Sequence, residues 1–290
     1  MKYRVRHTTG YDYAVPVDLA SHMLHLRPRA LPYQQVLQQR LLVRPPPARR
    51  TEGRDYFGND VSWLFLDAPH EHFAVTLEAV VDVAFPPPPA PETTPPWEAV
   101  AAAAQFGAAE GWQAAEFLYE SPMVVFHRSA RDFCACSFAP GRPVLSGLQE
   151  VCGRIRREFA FRAGVTAVAT PVAKVMALRA GVCQDFAHVM IAGLRMLGLP
   201  ARYVSGYLRT RPPPGKPRMQ GADASHAWVG CWLGPAHGWV DLDPTNDLVV
   251  SDGHVVLGWG RDYGDVSPVR GIILGGGKHE VEVGVDLEPV

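Results

Sequence analysis

Apolar and polar positions alternate through most of the first 85 residues of the chain. The runs at 3–7, 36–43, 61–66 and 73–85 are short, and turn-forming residues such as Phe57-Gly58-Asn59-Asp60 separate them. A period of two puts every second side chain on one face of a strand, so residues 1–85 are expected to form an antiparallel β-sandwich without catalytic residues. Pro86 to Pro89, then Pro91, Pro95 and Pro96, can neither donate to a sheet ladder nor continue a helix, and they mark the clearest boundary in the chain. Residues 86–142, rich in Pro and Ala, read as a linker and helical connector.

Beyond that boundary the period lengthens to three or four. A helix is expected over 144–159, with Leu148, Val151, Cys152 and Ile155 on one face. A second is expected to begin at Thr170-Pro171, with Thr170 as N-cap, and to stop at Gly181. A third runs over 183–197, buries Phe186, Met190, Leu194 and Leu197, and ends at Gly198 and Pro200. Strands follow at 201–208, 226–233 and 239–242 and in pieces of 254–288. Helices first and strands afterwards indicate an α+β domain with an antiparallel sheet over residues 143–290, ending in a C-terminal β extension.

Composition narrows the function classes. With 290 residues, 47% hydrophobic, 20% charged and a formal net charge of -1, the chain has material for a full core and no bias towards nucleic acid or anionic lipid. No apolar run reaches signal-peptide or bilayer-spanning length, so a cytoplasmic location is expected. Five cysteines, at 134, 136, 152, 183 and 231, are few and odd in number, which fits a reducing compartment. Charge is unevenly spread: residues 1–60 hold ten Lys/Arg against five Asp/Glu, and residues 241–290 hold three against ten, which reads as solvated surface, with complementary attraction between the ends as an addition, rather than a dedicated binding patch.

The candidate chemistry begins at Cys183, where Gly181-Val182 gives way to a helix. Unpaired N–H groups and the positive end of the helix dipole favour a thiolate there, and the same groups can hold an oxyanion. His188 is a poor base for it, because five residues of helix turn through about 500°. His226 opens a strand and can be brought up by tertiary folding. The loop 234–238 reads as a hairpin turn, so opposed residues sum to about 470 and His226 lies opposite or diagonal to Asp243. Asp241 shares that face but lies nearer the turn, so the register favours Asp243.

Three segments, Gly181-Val182-Cys183-Gln184-Asp185-Phe186-Ala187-His188, Ser225-His226-Ala227-Trp228-Val229 and Gly238-Trp239-Val240-Asp241-Leu242-Asp243-Pro244-Thr245, resemble the motifs of the bacterial transglutaminase-like family, part of the papain-like superfamily. The resemblance implies Cys183 as nucleophile, His226 as base and Asp243 as the orienting carboxylate, on a fold with the nucleophile at a helix N-terminus packed on an antiparallel sheet. It extends to residues 1–85, similar to the domain that precedes the catalytic one in this branch, and to the tail 258–277. Eukaryotic transglutaminases also use an upstream Trp to hold the oxyanion, and no Trp lies between Trp112 and Cys183, so the Cys183 N–H is the one assigned donor. Gln184, Asp185, His188, Trp228 and Asp241 are supporting or cleft residues.

The implied chemistry is acyl transfer on peptide or carboxamide bonds through a thioester, with a peptide or protein as substrate and no cofactor, nucleic acid or membrane. A peptidase or amide hydrolase is the first expectation. A protein-glutamine transglutaminase would resolve the same thioester with an amine, and a peptide-binding or assembly module would keep the fold without turnover. No metal is expected: Asp185, His188 and His226 lack zinc spacing, and Cys134-Ala135-Cys136 lacks the two-residue spacer of a zinc or redox pair. Trp228, Trp232 and Trp239 read as core or cleft wall, and the basic loop 209–218 as a lid or a plain solvated loop.

Overall fold

A computed structural model describes residues 1–105, 111–210 and 224–290. The N-terminal strands are β1 (Lys2–Leu24), β2 (Gln34–Arg44), β3 (Arg49–Arg54), β4 (Asp60–Leu66) and β5 (His70–Val83), and they lie in the order β2-β5-β1-β4-β3. The expected alternation is realised: Tyr3, Val5 and His7 point inward while Lys2, Arg4 and Arg6 face solvent. His7 is the polar member of that inner row. Tyr207 Oη and Thr9 Oγ1 lie 2.9 Å from its two ring nitrogens, and burial pushes its pKa down to about 4, so it sits in the core uncharged.

The next elements are α1 (Trp97–Ala103), α2 (Trp112–Ala115), α3 (Arg128–Ala135), α4 (Val144–Glu158), β6 (Ala160–Phe161), α5 (Val172–Leu178), β7 (Ala180–Gly181) and α6 (Cys183–Arg195). The proline segment is tied to the start of α4, where Val144 N–H donates to Pro95 O at 2.9 Å and Leu145 N–H to Thr94 Oγ1 at 3.3 Å. On α4 the expected face, Leu148, Val151, Cys152 and Ile155, is buried. Val100, Ala130, Phe133 and Cys134 from residues 86–142 join the same core as α4 and α6. Two sequence expectations for α5 fail. Thr170 does not cap it, since its Oγ1 accepts from Ala167 N–H instead, and the helix ends at Leu178 because Arg179 adopts a left-handed φ of 49°, before Gly181 is reached.

The remaining strands are β8 (Ala201–Leu208), β9 (Ala224–Trp232), β10 (Trp239–Asp243), β11 (Leu248–Val249), β12 (His254–Gly260), β13 (Val269–Gly275) and β14 (His279–Pro289). A five-stranded antiparallel sheet in the order β11-β10-β9-β8-β12 backs α6, whose residues from Asp185 to Arg195 are all buried. The helix that begins at Cys183 therefore packs on an antiparallel sheet, as the resemblance implies.

The last two strands leave that sheet. Both β13 and β14 pair antiparallel with β1, making the N-terminal sheet seven-stranded and curled. Register then sets Arg4 opposite Glu288 and Arg6 opposite Asp286, which gives the opposed charge of the two chain ends a structural use. Tyr207, Val255 and Leu257 of the five-stranded sheet belong to the same core cluster as Val5, Phe73 and Leu287. Leu287 is 0% exposed. Leu287→Ala is accordingly expected to lower stability by about 2–5 kcal/mol, read as a lower urea midpoint. A midpoint equal to that of the parent protein would show that β14 adds nothing to the core.

Candidate active site

Cys183 is the first residue of α6 and is partly exposed. The helix start is held by Asp185, whose Oδ2 accepts from Val182 N–H at 2.8 Å and from Thr166 Oγ1 at 2.7 Å. Gly181 makes room for this, since a Cβ there would come within 2.6 Å of that carboxylate. With Asp185 turned back onto Val182, the first-turn amides of Cys183 and Gln184 point out of the helix end with no acceptor in an earlier turn. Gln184 spends its own side-chain amide on Val168 O at 2.8 Å.

The hairpin of β9 and β10 delivers the other two residues. Trp239 pairs with Trp232 and Leu242 with Val229, so opposed residues sum to 471, and Asp243 lies diagonal to His226. His226 Nε2 donates to Asp243 Oδ2 at 2.7 Å. Its other ring nitrogen remains free of Asp243, and Cys183 lies near enough to contribute to the raised charge state of the ring. Burial works to lower the His226 pKa, but the bonds and charges of Asp243 and Cys183 outweigh it and push the value up to about 10.

Asp243 is fully buried and heavily bonded. Its Oδ1 accepts from Thr245 N–H at 2.9 Å and Asn246 N–H at 3.2 Å, and its Oδ2 accepts from Asn246 Nδ2 at 2.7 Å besides His226. His254 Nε2 on β12 completes the set at 3.4 Å. Burial alone would raise the Asp243 pKa, yet the bonds from His226, His254 and Asn246 hold it well below the usual carboxylate range.

The other sequence candidates go elsewhere. Asp241 accepts from Trp228 Nε1 at 2.9 Å and lies 3.9 Å from Arg202, away from His226. Trp228 is 0% exposed and belongs to the core rather than the cleft wall. His188 Nε2 accepts from Tyr263 N–H at 3.2 Å, and burial pushes its pKa down to about 4, so it ties α6 to the C-terminal loop as a neutral ring. Asp185, His188 and His226 therefore do not converge on a metal. Among the described residues, one group of three potential ligands lies within 4.8 Å: His226, Asp243 and His254, whose ligand atoms already face one another in hydrogen bonds. The loop reading for 209–218 lies outside the described residues beyond Thr210.

Asn246 and His254 were not foreseen. Asn246 follows Asp243 by three positions in a turn, a spacing that suits a local side-chain bond and offered a signal. His254 offered none, because β12 reaches Asp243 only through the tertiary fold. The thiols also separate by environment: burial pushes Cys134 up to about 12 and holds Cys152 and Cys231 above the ordinary thiol range. Iodoacetamide at neutral pH is expected to label Cys183 well before Cys152, followed by peptide mass spectrometry. Equal rates at the two positions would count against a reactive Cys183.

Residues 3–82 match the bacterial transglutaminase-like N-terminal region, and residues 137–244 match the transglutaminase-like superfamily. The second match contains Cys183, His226 and Asp243. An uncharacterized protein of Mycobacterium tuberculosis is 41% identical over 295 residues, covering 99% of this chain and 93% of its own. A shorter stretch, 68 residues at 40% identity, matches a protein-glutamine gamma-glutamyltransferase of Pseudomonas aeruginosa, covering 23% of this chain and 10% of that protein. The fold is similar to the crystal structure of a candidate cysteine protease from Cytophaga hutchinsonii, with a TM-score of 0.74 at 21% identity over 99% of this chain and 90% of that one. With two family matches in chain order and a relative of 41% identity along nearly its whole length, the chain belongs to the bacterial transglutaminase-like family.

Proposed function

We propose that the protein cleaves peptide or carboxamide bonds through a Cys183-His226-Asp243 triad and a thioester intermediate, and that water resolves the thioester. The observation that carries this reading is the 2.7 Å bond from His226 Nε2 to a buried Asp243, which leaves the other ring nitrogen for Cys183. The Cys183 thiolate attacks the carbonyl carbon, and the oxyanion takes the Cys183 N–H at the start of α6. Protonated His226 gives its proton to the leaving amine as the tetrahedral intermediate collapses, and a thioester forms. Neutral His226 then removes a proton from water, which attacks the thioester and returns the free enzyme. Asp243 keeps the ring in one orientation throughout.

Water is favoured as the second nucleophile because Cys183 stays partly exposed among the described residues, and a thioester open to solvent hydrolyses. Amine transfer is the second reading, supported by the 68-residue likeness to a gamma-glutamyltransferase. The two separate cleanly in one assay. Given glutamine-containing casein and a labelled primary amine, a hydrolase releases ammonia or fragments with no label in protein. Stable incorporation of the amine would overturn hydrolysis in favour of transfer. A cytoplasmic site of action belongs to the same proposal, supported by five free cysteines.

A further inference from the structure

A cavity of about 1170 Å³ lies beside the hairpin, and none of the triad lines it. Its walls are largely aromatic: Tyr56 from the turn between β3 and β4, Trp112 and Tyr119 from the connector, and Trp239 and Trp259 from the five-stranded sheet. Trp112 is 62% exposed, so the wall it forms is open to solvent on one side.

Arg202 of β8 also lines this cavity, and its bonding is unusual. The side chain is 8% exposed, and its guanidinium carbon lies 4.3 Å from the ring centre of Trp239 and 3.8 Å from that of Trp259. Its stem crosses β9 at Gly230, where a Cβ would come within 2.7 Å of Nε. No hydrogen bond runs from Arg202 to any described residue, and its buried Nε has no partner. The nearest anion, Asp241, stands off at 3.9 Å and is engaged by Trp228. A buried Nε–H with no acceptor is costly, and such an exception calls for an explanation.

The carboxylates around the cavity are already engaged. Asp265 holds Arg261 through two bonds of 2.9 Å, and Glu120 accepts from Phe126 N–H at 2.6 Å, while burial raises the Glu116 pKa and so favours its neutral form. Arg202 is thus the charged group in the wall with no hydrogen bond to a described residue, its charge answered only by the 3.9 Å ion pair with Asp241 behind it. Flanked by two indole rings, it can be met only along its N–H edge, the approach that a planar carboxylate makes with two parallel bonds.

We infer that this cavity binds a carboxylate-bearing ligand of the peptide class, its carboxylate on Arg202 and its apolar body against Trp112, Tyr119 and the two indoles. That the ligand is the free carboxylate end of a substrate rests on the function proposed above; the binding itself does not.

The test uses the full chain carrying Cys183→Ala, so that binding is read without turnover. Isothermal titration with N-acetylphenylalanine, its amide and inorganic phosphate is expected to show the acid binding at least about tenfold tighter than either of the others. Arg202→Met, which keeps an apolar stem between the indoles, is expected to erase that preference. Trp112→Ala, at an exposed position, is expected to weaken the acid by about tenfold and serves if the Arg202 variant does not fold. Equal binding of acid and amide, phosphate binding as tightly as the acid, or an unchanged acid affinity in Trp112→Ala would each overturn the assignment. Peptide cleavage by the parent protein is measured separately, so failure of the catalytic reading and failure of this site remain distinguishable.

Discussion

Cys183→Ala is expected to reduce turnover by about 10⁵-fold or more while leaving the fold intact. The size of the effect follows from chemistry: without the thiolate no thioester forms, and direct attack by water lacks both a covalent step and its paired base. The fold should tolerate the change because Cys183 is partly exposed and the helix start is held by Asp185 and Gly181 rather than by the thiol. The measurement is a single-turnover assay on a peptide or amide substrate found with the parent protein, alongside a thermal melt. Undiminished turnover in Cys183→Ala would remove the thiol from the mechanism.

Asp243→Asn is expected to cost about 10²–10⁴-fold in kcat/KM and to move the alkaline limb of the pH profile to lower pH. In the parent protein burial disfavours protonated His226, but Asp243 and Cys183 overcome this and hold its pKa at about 10. Activity that requires the imidazolium is therefore retained at neutral pH and lost as pH rises through about 10. An amide at 243 removes the negative charge and offers a weaker acceptor, so the limb falls towards the ordinary histidine value. A profile with an unmoved limb would show that Asp243 does not act through His226. Stability has the same sign. A histidine whose pKa is raised on folding contributes fully below 6.5 and loses that contribution as pH climbs to about 10. A carboxylate held down, as Asp243 is, contributes above its ordinary value of 3.8 and loses the contribution on acidification. The pair therefore stabilises most between those two ordinary values.

Arg202 lies outside the three motifs. Trp228, Asp241 and Arg202 form a row beside the triad on paired strands, linked through Gly230, which faces both Arg202 and Asp241. From the sequence, Asp241 competes with Asp243 for one role. In the folded protein they hold two different cations, Arg202 for the first and protonated His226 for the second.

The local pattern by itself determined the elements on which the site depends. A period of two marked the strands, a three- and four-residue period marked α4 and α6, and the glycine-bounded turn at 234–238 set the hairpin register to within one residue. These are short-range properties, written in side chains that are neighbours along the chain. Pairing partners of distant strands are not: nothing in residues 269–289 states that they close the sheet begun by residues 2–24 rather than extend the sheet that precedes them. His254 illustrates the same limit within the site, since it reaches Asp243 across a sheet of order β11-β10-β9-β8-β12. The sequence determined which residues are candidates for the chemistry and how each is locally held. The tertiary structure decided which buried partners set their charge, because desolvation and long-range contact exist only once the sheets have packed.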